Sequence, residues 1–232
     1  MSNNPAEANR PMRAFERVLK SGLGAGNIGV MVSPHGTGKN AILTSIAIDQ
    51  AMSGQNVLHI AIGKSVSDIR AYHDEILSKI EDSVAATDRA EILTRVERHS
   101  QIYTFRGGQF DVAKLASILS FLATHAEFRP STIMFQGWPD IDTTTPAELQ
   151  AVRDLARQYN AAVWIPVHAE TGADGKTLPA TVGALMEHFE VAVTLGSQAK
   201  TLPLHFVRVH GATPSLAPKL EFDPASMLIR WN

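Results

Sequence analysis

Eight consecutive residues, Ser33-Pro34-His35-Gly36-Thr37-Gly38-Lys39-Asn40, hold the most specific chemistry in the chain. An apolar run over 28–32 precedes them, and residues 41–52 follow with helical character. A strand, a glycine-bearing loop ending in lysine and then a helix is the layout of a phosphate-binding P-loop. Backbone N–H groups of such a loop and of the helix N-terminus converge on one point, where the helix dipole favours an anion. Gly36 and Gly38 permit backbone dihedrals closed to other residues and a close approach to a ligand. Lys39 brings an ammonium to the outer phosphates. The spelling departs from G-x-x-x-x-G-K-[ST] twice. Ser33 stands where glycine is wanted, and Asn40 replaces the hydroxyl that ligates Mg²⁺. An amide oxygen can ligate a hard cation, but it is larger and neutral. Without its surroundings the octet reads either as a phosphate site at Gly36, Thr37, Gly38, Lys39 and Asn40 or as a strand-to-helix turn.

A nucleotide site of this type needs a second element, an apolar strand ending in an acid that holds the metal shell. The strand over 132–135 fits, yet it ends in Gln136, and Asp140 and Asp142 come only after Gly137-Trp138-Pro139. The metal candidates are therefore Asn40, Gln136 and Asp140, with Asp142 beside it. His168 follows a strand over 161–167, at the end of an α/β sheet where ligands bind; a satisfied core histidine is the other reading. His35 reads as an exposed loop residue. The nine histidines are scattered, and none forms an i, i+4 pair next to an acid, so zinc is not expected. Ser33, Ser65 and Ser197 lack the G-x-S-x-G elbow of a hydrolase nucleophile. Trp138 and Trp164 read as packing residues.

These residues must be positioned by a fold, and 232 residues with 44% hydrophobic and 19% charged content suffice for one α/β domain. The formal net charge of -2 lends no support to nucleic acid or a membrane surface as partner. There is no cysteine, which removes disulfides and thiolate chemistry. No long uncharged apolar run suggests a membrane span. Residues 1–11 are polar, without an apolar signal core. They are expected to form a disordered arm before a single domain over 12–232, and the expected location is the cytoplasm.

The pattern predicts helices over 12–20, from about Asp68 with Ser67 as cap, over 81–99 and over 111–126. Another starts at a Thr145–Glu148 capping box and runs to about Tyr159, and 178–188 reads as helical. Strands are predicted over 57–62, 101–105, 161–167, 191–195 and 204–209, with a closing hairpin of 220–222 and 227–229. Pro166 predicts a bend or a missing ladder bond. Strands alternate with helices up to Val167 and dominate afterwards. The expectation is a mainly parallel central sheet flanked by helices, with an antiparallel hairpin at the C-terminus.

In this order and text the chain resembles the RecA-like P-loop ATPases, most of all the KaiC-like and DnaB-like replicative-helicase branch. Residues 15–40 are similar to that family's helix, glycine turn, strand and P-loop. Phe206-Val207-Arg208-Val209-His210-Gly211 resembles its late strand with a K-x-R-G type motif, and Leu220-Glu221-Phe222-Asp223-Pro224 its C-terminal hairpin. The resemblance implies ATP or ADP as ligand, Mg²⁺ as its companion, and a homo-oligomer that in the family is a ring, here a hexamer. It places the catalytic glutamate at Gly63-Lys64, where there is no acid before Asp68. It places the metal acid at Gln136, the sensor at His168 and the basic finger that acts on a neighbour's nucleotide at Arg208, with His210 second. Binding groups are kept while those that activate water and hold metal are altered. The resulting expectation is an ATP- or ADP-binding protein with little or no hydrolysis and a structural or regulatory role. Two alternatives stand beside it: an active ATPase that uses Asp140 or Asp142 for the metal, and a nucleotide-free scaffold that binds a protein partner.

Overall fold

The computed structural model describes residues 13–20, 22–81, 86–172, 175–196, 200–214 and 219–231; the expected arm over 1–11 lies outside them. Apolar runs without alternation form strands covered on both faces. These are β1 (Ile28–Ser33), β2 (Val57–Ile62), β4 (Thr132–Gln136), β5 (Ala162–His168) and β6 (Val191–Leu195). Alternating or half-buried segments form β3 (Ser100–Phe105), β7 (Leu202–Arg208), β8 (Leu220–Asp223) and β9 (Leu228–Trp231). All nine join one sheet in the order β3-β2-β4-β5-β1-β6-β7-β8-β9. It is parallel from β3 to β6 and antiparallel from β6 to β9.

Helices α1 (Arg13–Leu19), α2 (Lys39–Met52), α3 (Val66–Glu81) and α4 (Ala86–His99) cover one face. There Phe15, Ile42, Ile46, Ile76 and Val96 pack with Met31, Met134 and Trp164. Helices α5 (Val112–His125), α6 (Pro146–Gln158) and α7 (Ala180–Ala184), with a 3₁₀ turn at Met186–His188, cover the other. Eleven of the fourteen residues of α2 are buried, which explains why the helix after the loop shows no polar face. It packs on the sheet beside α3 and α4, and it touches β4 and β5 as well as β1.

The local signals account for most boundaries. Thr145 and Glu148 form the predicted capping box on α6, and Asp111 caps α5 by accepting from the Ala113 N–H at 2.8 Å. The cap of α3 is Ser65 rather than Ser67. Ser65 Oγ accepts from the Asp68 N–H at 3.1 Å while Asp68 Oδ2 accepts from the Ser65 N–H at 3.0 Å, so two orphan donors are satisfied reciprocally. The charged run 81–99 falls on the end of α3 and on α4. The helical run expected over 178–188 is broken into α7 and the 3₁₀ turn. Pro166 leaves its mark on one side of β5. The ladder to β1 continues through Met31–Pro166 to Ser33–His168, whereas the ladder to β4 ends at Met134–Trp164.

Candidate functional site

The Ser33–Asn40 loop lies at the C-terminal end of β1, between β5 and β6. Gly36 (φ 74°) and Gly38 (φ 95°) both take left-handed backbone that other residues adopt at a cost. Gly38 is also the N-cap of α2, and a Cβ there would come within 2.8 Å of Leu202 Cδ1. Lys39 folds back beneath the loop, and its Nζ donates to the carbonyls of Ser33 and Pro34, both at 3.1 Å. The side chain is buried, and its pKa lies below the ordinary lysine value. Burial is the main cause and repulsion from Lys64 the second. Ser33 has a use that glycine could not serve. Thr37 Oγ1 spans the loop to Ser33 Oγ at 2.5 Å and to the Pro34 carbonyl at 2.8 Å. The departure at this position therefore braces the loop.

Because α2 passes over β5 and β4, its second turn reaches the end of β4. Gln136 Nε2 donates to Thr44 Oγ1 at 2.9 Å and lies 3.4 Å from His73 Nε2. The ring of His73 meets that of His59 edge-on, with centroids 4.2 Å apart. Gln136 Oε1 and both ring nitrogens of His59 are buried without a hydrogen-bond partner. Burial, then His73, holds the His59 pKa well below the usual histidine value. Burial likewise holds His73 down at about 4, against the opposing pull of Asp74. Both imidazoles are neutral at physiological pH. This buried polar cluster was not visible in the sequence, where the one trace is a histidine inside the apolar run of β2.

The donor set does not fit magnesium. Where the resemblance implies the metal acid stands the Gln136 amide, sealed from solvent, with its Nε2 on Thr44 and its Oε1 without a hydrogen-bond partner. Where the resemblance implies the Mg²⁺ hydroxyl stands the Asn40 amide. Among the described residues no group of three His, Asp or Glu side chains could hold a metal ion. At the end of β2, where an acid is implied, Gly63 turns the chain at φ 72° and Lys64 follows, exposed. The next carboxylate, Asp68, accepts from Ser65 Oγ at 2.7 Å and from the Ser65 N–H, as part of the α3 cap. Asp140 Oδ1 accepts from the Asp142 N–H at 3.0 Å. Asp140 lines a cavity of about 310 Å³ with Ile62, Phe110, Trp138, Thr144 and Glu148, and no loop residue borders it.

No protein-family model matches the chain. It is similar to the DNA repair and recombination protein RadB of Methanothermobacter thermautotrophicus, at 22% identity over 211 residues that cover 86% of this chain and 88% of that protein. The sheet order and the loop after β1 agree with this similarity. The chain has a RecA-like P-loop fold. Within this RecA-like frame His168 does reach the loop. It ends β5 opposite Ser33, its ring packs on that of His35, and burial followed by the nearby His35 and Lys39 lowers its pKa. Arg208 does not. It pairs with Ala192, which in turn lies beside Val30, towards the opposite end of the parallel strands. His210 is tied to structure instead. Its Nε2 donates to the Leu19 carbonyl at 2.7 Å, and its Nδ1 lies 3.7 Å from Glu190 Oε1.

Proposed function

We propose that this RecA-like chain binds a nucleotide, ATP or ADP, through the amides of Gly36 to Asn40 and the Lys39 ammonium. The bound nucleotide serves a structural or regulatory role with little or no hydrolysis. One observation supports this reading above the others: the loop keeps its lysine and left-handed glycines, while the positions for metal and general base hold Asn40, Gln136 and Lys64. Loss of a positioned general base costs roughly two to four orders of magnitude in rate. Loss of metal charge adds to that, because phosphoryl transfer depends on neutralising developing charge.

Thermal-shift titration with ATP, ADP and GTP, with and without Mg²⁺, tests binding, and a phosphate-release assay tests turnover. The expected result is a nucleotide shift that Lys39→Ala removes, with turnover near background. Robust Mg²⁺-dependent turnover abolished by Lys39→Ala would refute the reading in favour of an ATPase. No shift with any nucleotide would favour an interaction scaffold. Arg208 would meet a nucleotide on another copy of the chain, as in the KaiC-like rings. Homo-oligomerisation is part of the proposal, and light scattering checks it. The name of the relative refers to DNA repair and recombination, but a net charge of -2 adds no electrostatic support for DNA here.

A further inference from the structure

We propose that Lys64 takes the place of the divalent cation in this site, so that the nucleotide is bound as a metal-free polyphosphate between Lys39 and Lys64. The proposal rests on reading the Ser33–Asn40 loop as a phosphate site and adds the form in which the ligand is taken.

Three features carry it. The first is placement. β2 ends beside β4, whose terminal Gln136 touches α2 at Thr44, so the end of β2 faces the helix that carries Lys39. The turn after β2 is fixed on several sides. The Gly63 N–H donates to the Phe105 carbonyl at 2.8 Å, Gly137 lies against the Ile62 carbonyl, and Ser65 is held by its exchange with Asp68. Lys64 is exposed in this turn, as are Gly63 and Ser65 on either side of it.

The second is charge. After burial, repulsion from Lys64 is the second cause that lowers the Lys39 pKa, so the two ammonium groups act on one another. His168 ends β5, on the same flank of β1 as β2, with its ring on that of His35 and with Glu170 opposing the lowering of its pKa. The nearest carboxylate on the Lys64 side, Asp68, accepts from both the N–H and the hydroxyl of Ser65. Like charges gathered in this way are relieved by an anion, and a polyphosphate supplies one.

The third is the donor set. A magnesium ion prefers oxygen ligands that include carboxylate. The position for that carboxylate holds a buried amide, and the position for the second acid holds Lys64 itself. A dication would lack its carboxylate at Gln136, and the place that the resemblance gives to the catalytic acid offers a phosphate oxygen a donor instead.

The test is calorimetric titration of the full chain with ATP and with inorganic tripolyphosphate, in EDTA and in excess Mg²⁺. Wild type, Lys64→Ala, Lys64→Glu and Lys39→Ala are compared, with circular dichroism as the check on folding. Wild type is expected to bind in EDTA at least as tightly as in Mg²⁺. Lys64→Ala is expected to weaken binding in EDTA by about tenfold, as for loss of one charged contact. Lys64→Glu is expected to lose binding in EDTA and to regain part of it in Mg²⁺. A wild type that binds only with Mg²⁺, or a Lys64→Ala variant with unchanged affinity in EDTA, overturns the inference. If Lys39→Ala still weakens binding in that case, the phosphate-site reading survives it. If no probe binds, or Lys39→Ala is silent, both fall together.

Discussion

Acid should loosen this protein before it reaches the range in which carboxylates titrate, and the cause is the pair His59 and His73. Both are buried between β2, α3 and α2, and the side chains of Gln136 and Thr44 that complete the cluster are neutral. Asp74, next to His73 on α3, pulls the His73 pKa upward but does not cancel the effect of burial. The His73 pKa is held at about 4 in the fold against 6.5 when free. A depressed histidine pKa means that the unfolded chain binds more protons than the folded one between these values. Its contribution is fully present above 6.5 and is lost as pH falls towards 4. The full gap corresponds to about 3 kcal/mol, and roughly 2 kcal/mol of it is lost between about pH 7 and about pH 5. His59 shifts in the same direction and adds to the loss. Urea denaturation at several pH values measures this directly. The double variant His73→Gln with His59→Leu keeps a polar partner for Gln136 but cannot titrate. It should flatten the profile over that interval. A wild-type midpoint that is flat from about pH 7 to about pH 5, or a loss of the same size in the double variant, would refute the argument.

Gly29→Ala should destabilise the fold by about 1–3 kcal/mol in urea denaturation, because a Cβ there would lie 2.6 Å from Trp164 Cε3 and Cζ3, and that ring is buried. Thr145→Ala removes the reciprocal cap of α6 and should cost about 1 kcal/mol in the same assay, with no effect on nucleotide binding.

The sheet was legible because its strands are apolar on both faces and its helices are separated by marked caps and turns. The loop was legible for a local reason as well: its chemistry is set by eight adjacent residues. The Ser65 cap was ambiguous because Ser65 and Ser67 both precede Asp68, and only the reciprocal bond between Ser65 and Asp68 separates them. The repulsion of Lys39 by Lys64 could not be read along the chain. It depends on α2 crossing β5 and β4, which is decided by packing. The same crossing assembles Thr44, Gln136, His73 and His59 from four elements. Motif matching gave Arg208 a position in the sequence, but its distance from the loop follows from the antiparallel direction of β7.

The early end of the β4–β5 ladder divides the sheet mechanically. β3, β2 and β4 form one plate, and β5 onward form another; three residue pairs, Thr132–Ala162 to Met134–Trp164, rivet them together. Beyond the last rivet Phe135 and Gln136 are registered with β2 alone. The bond between Gln136 and Thr44 therefore joins α2 to the part of β4 that only β2 fastens within the sheet. Trp138, two residues beyond Gln136, lines the cavity at this end of β4.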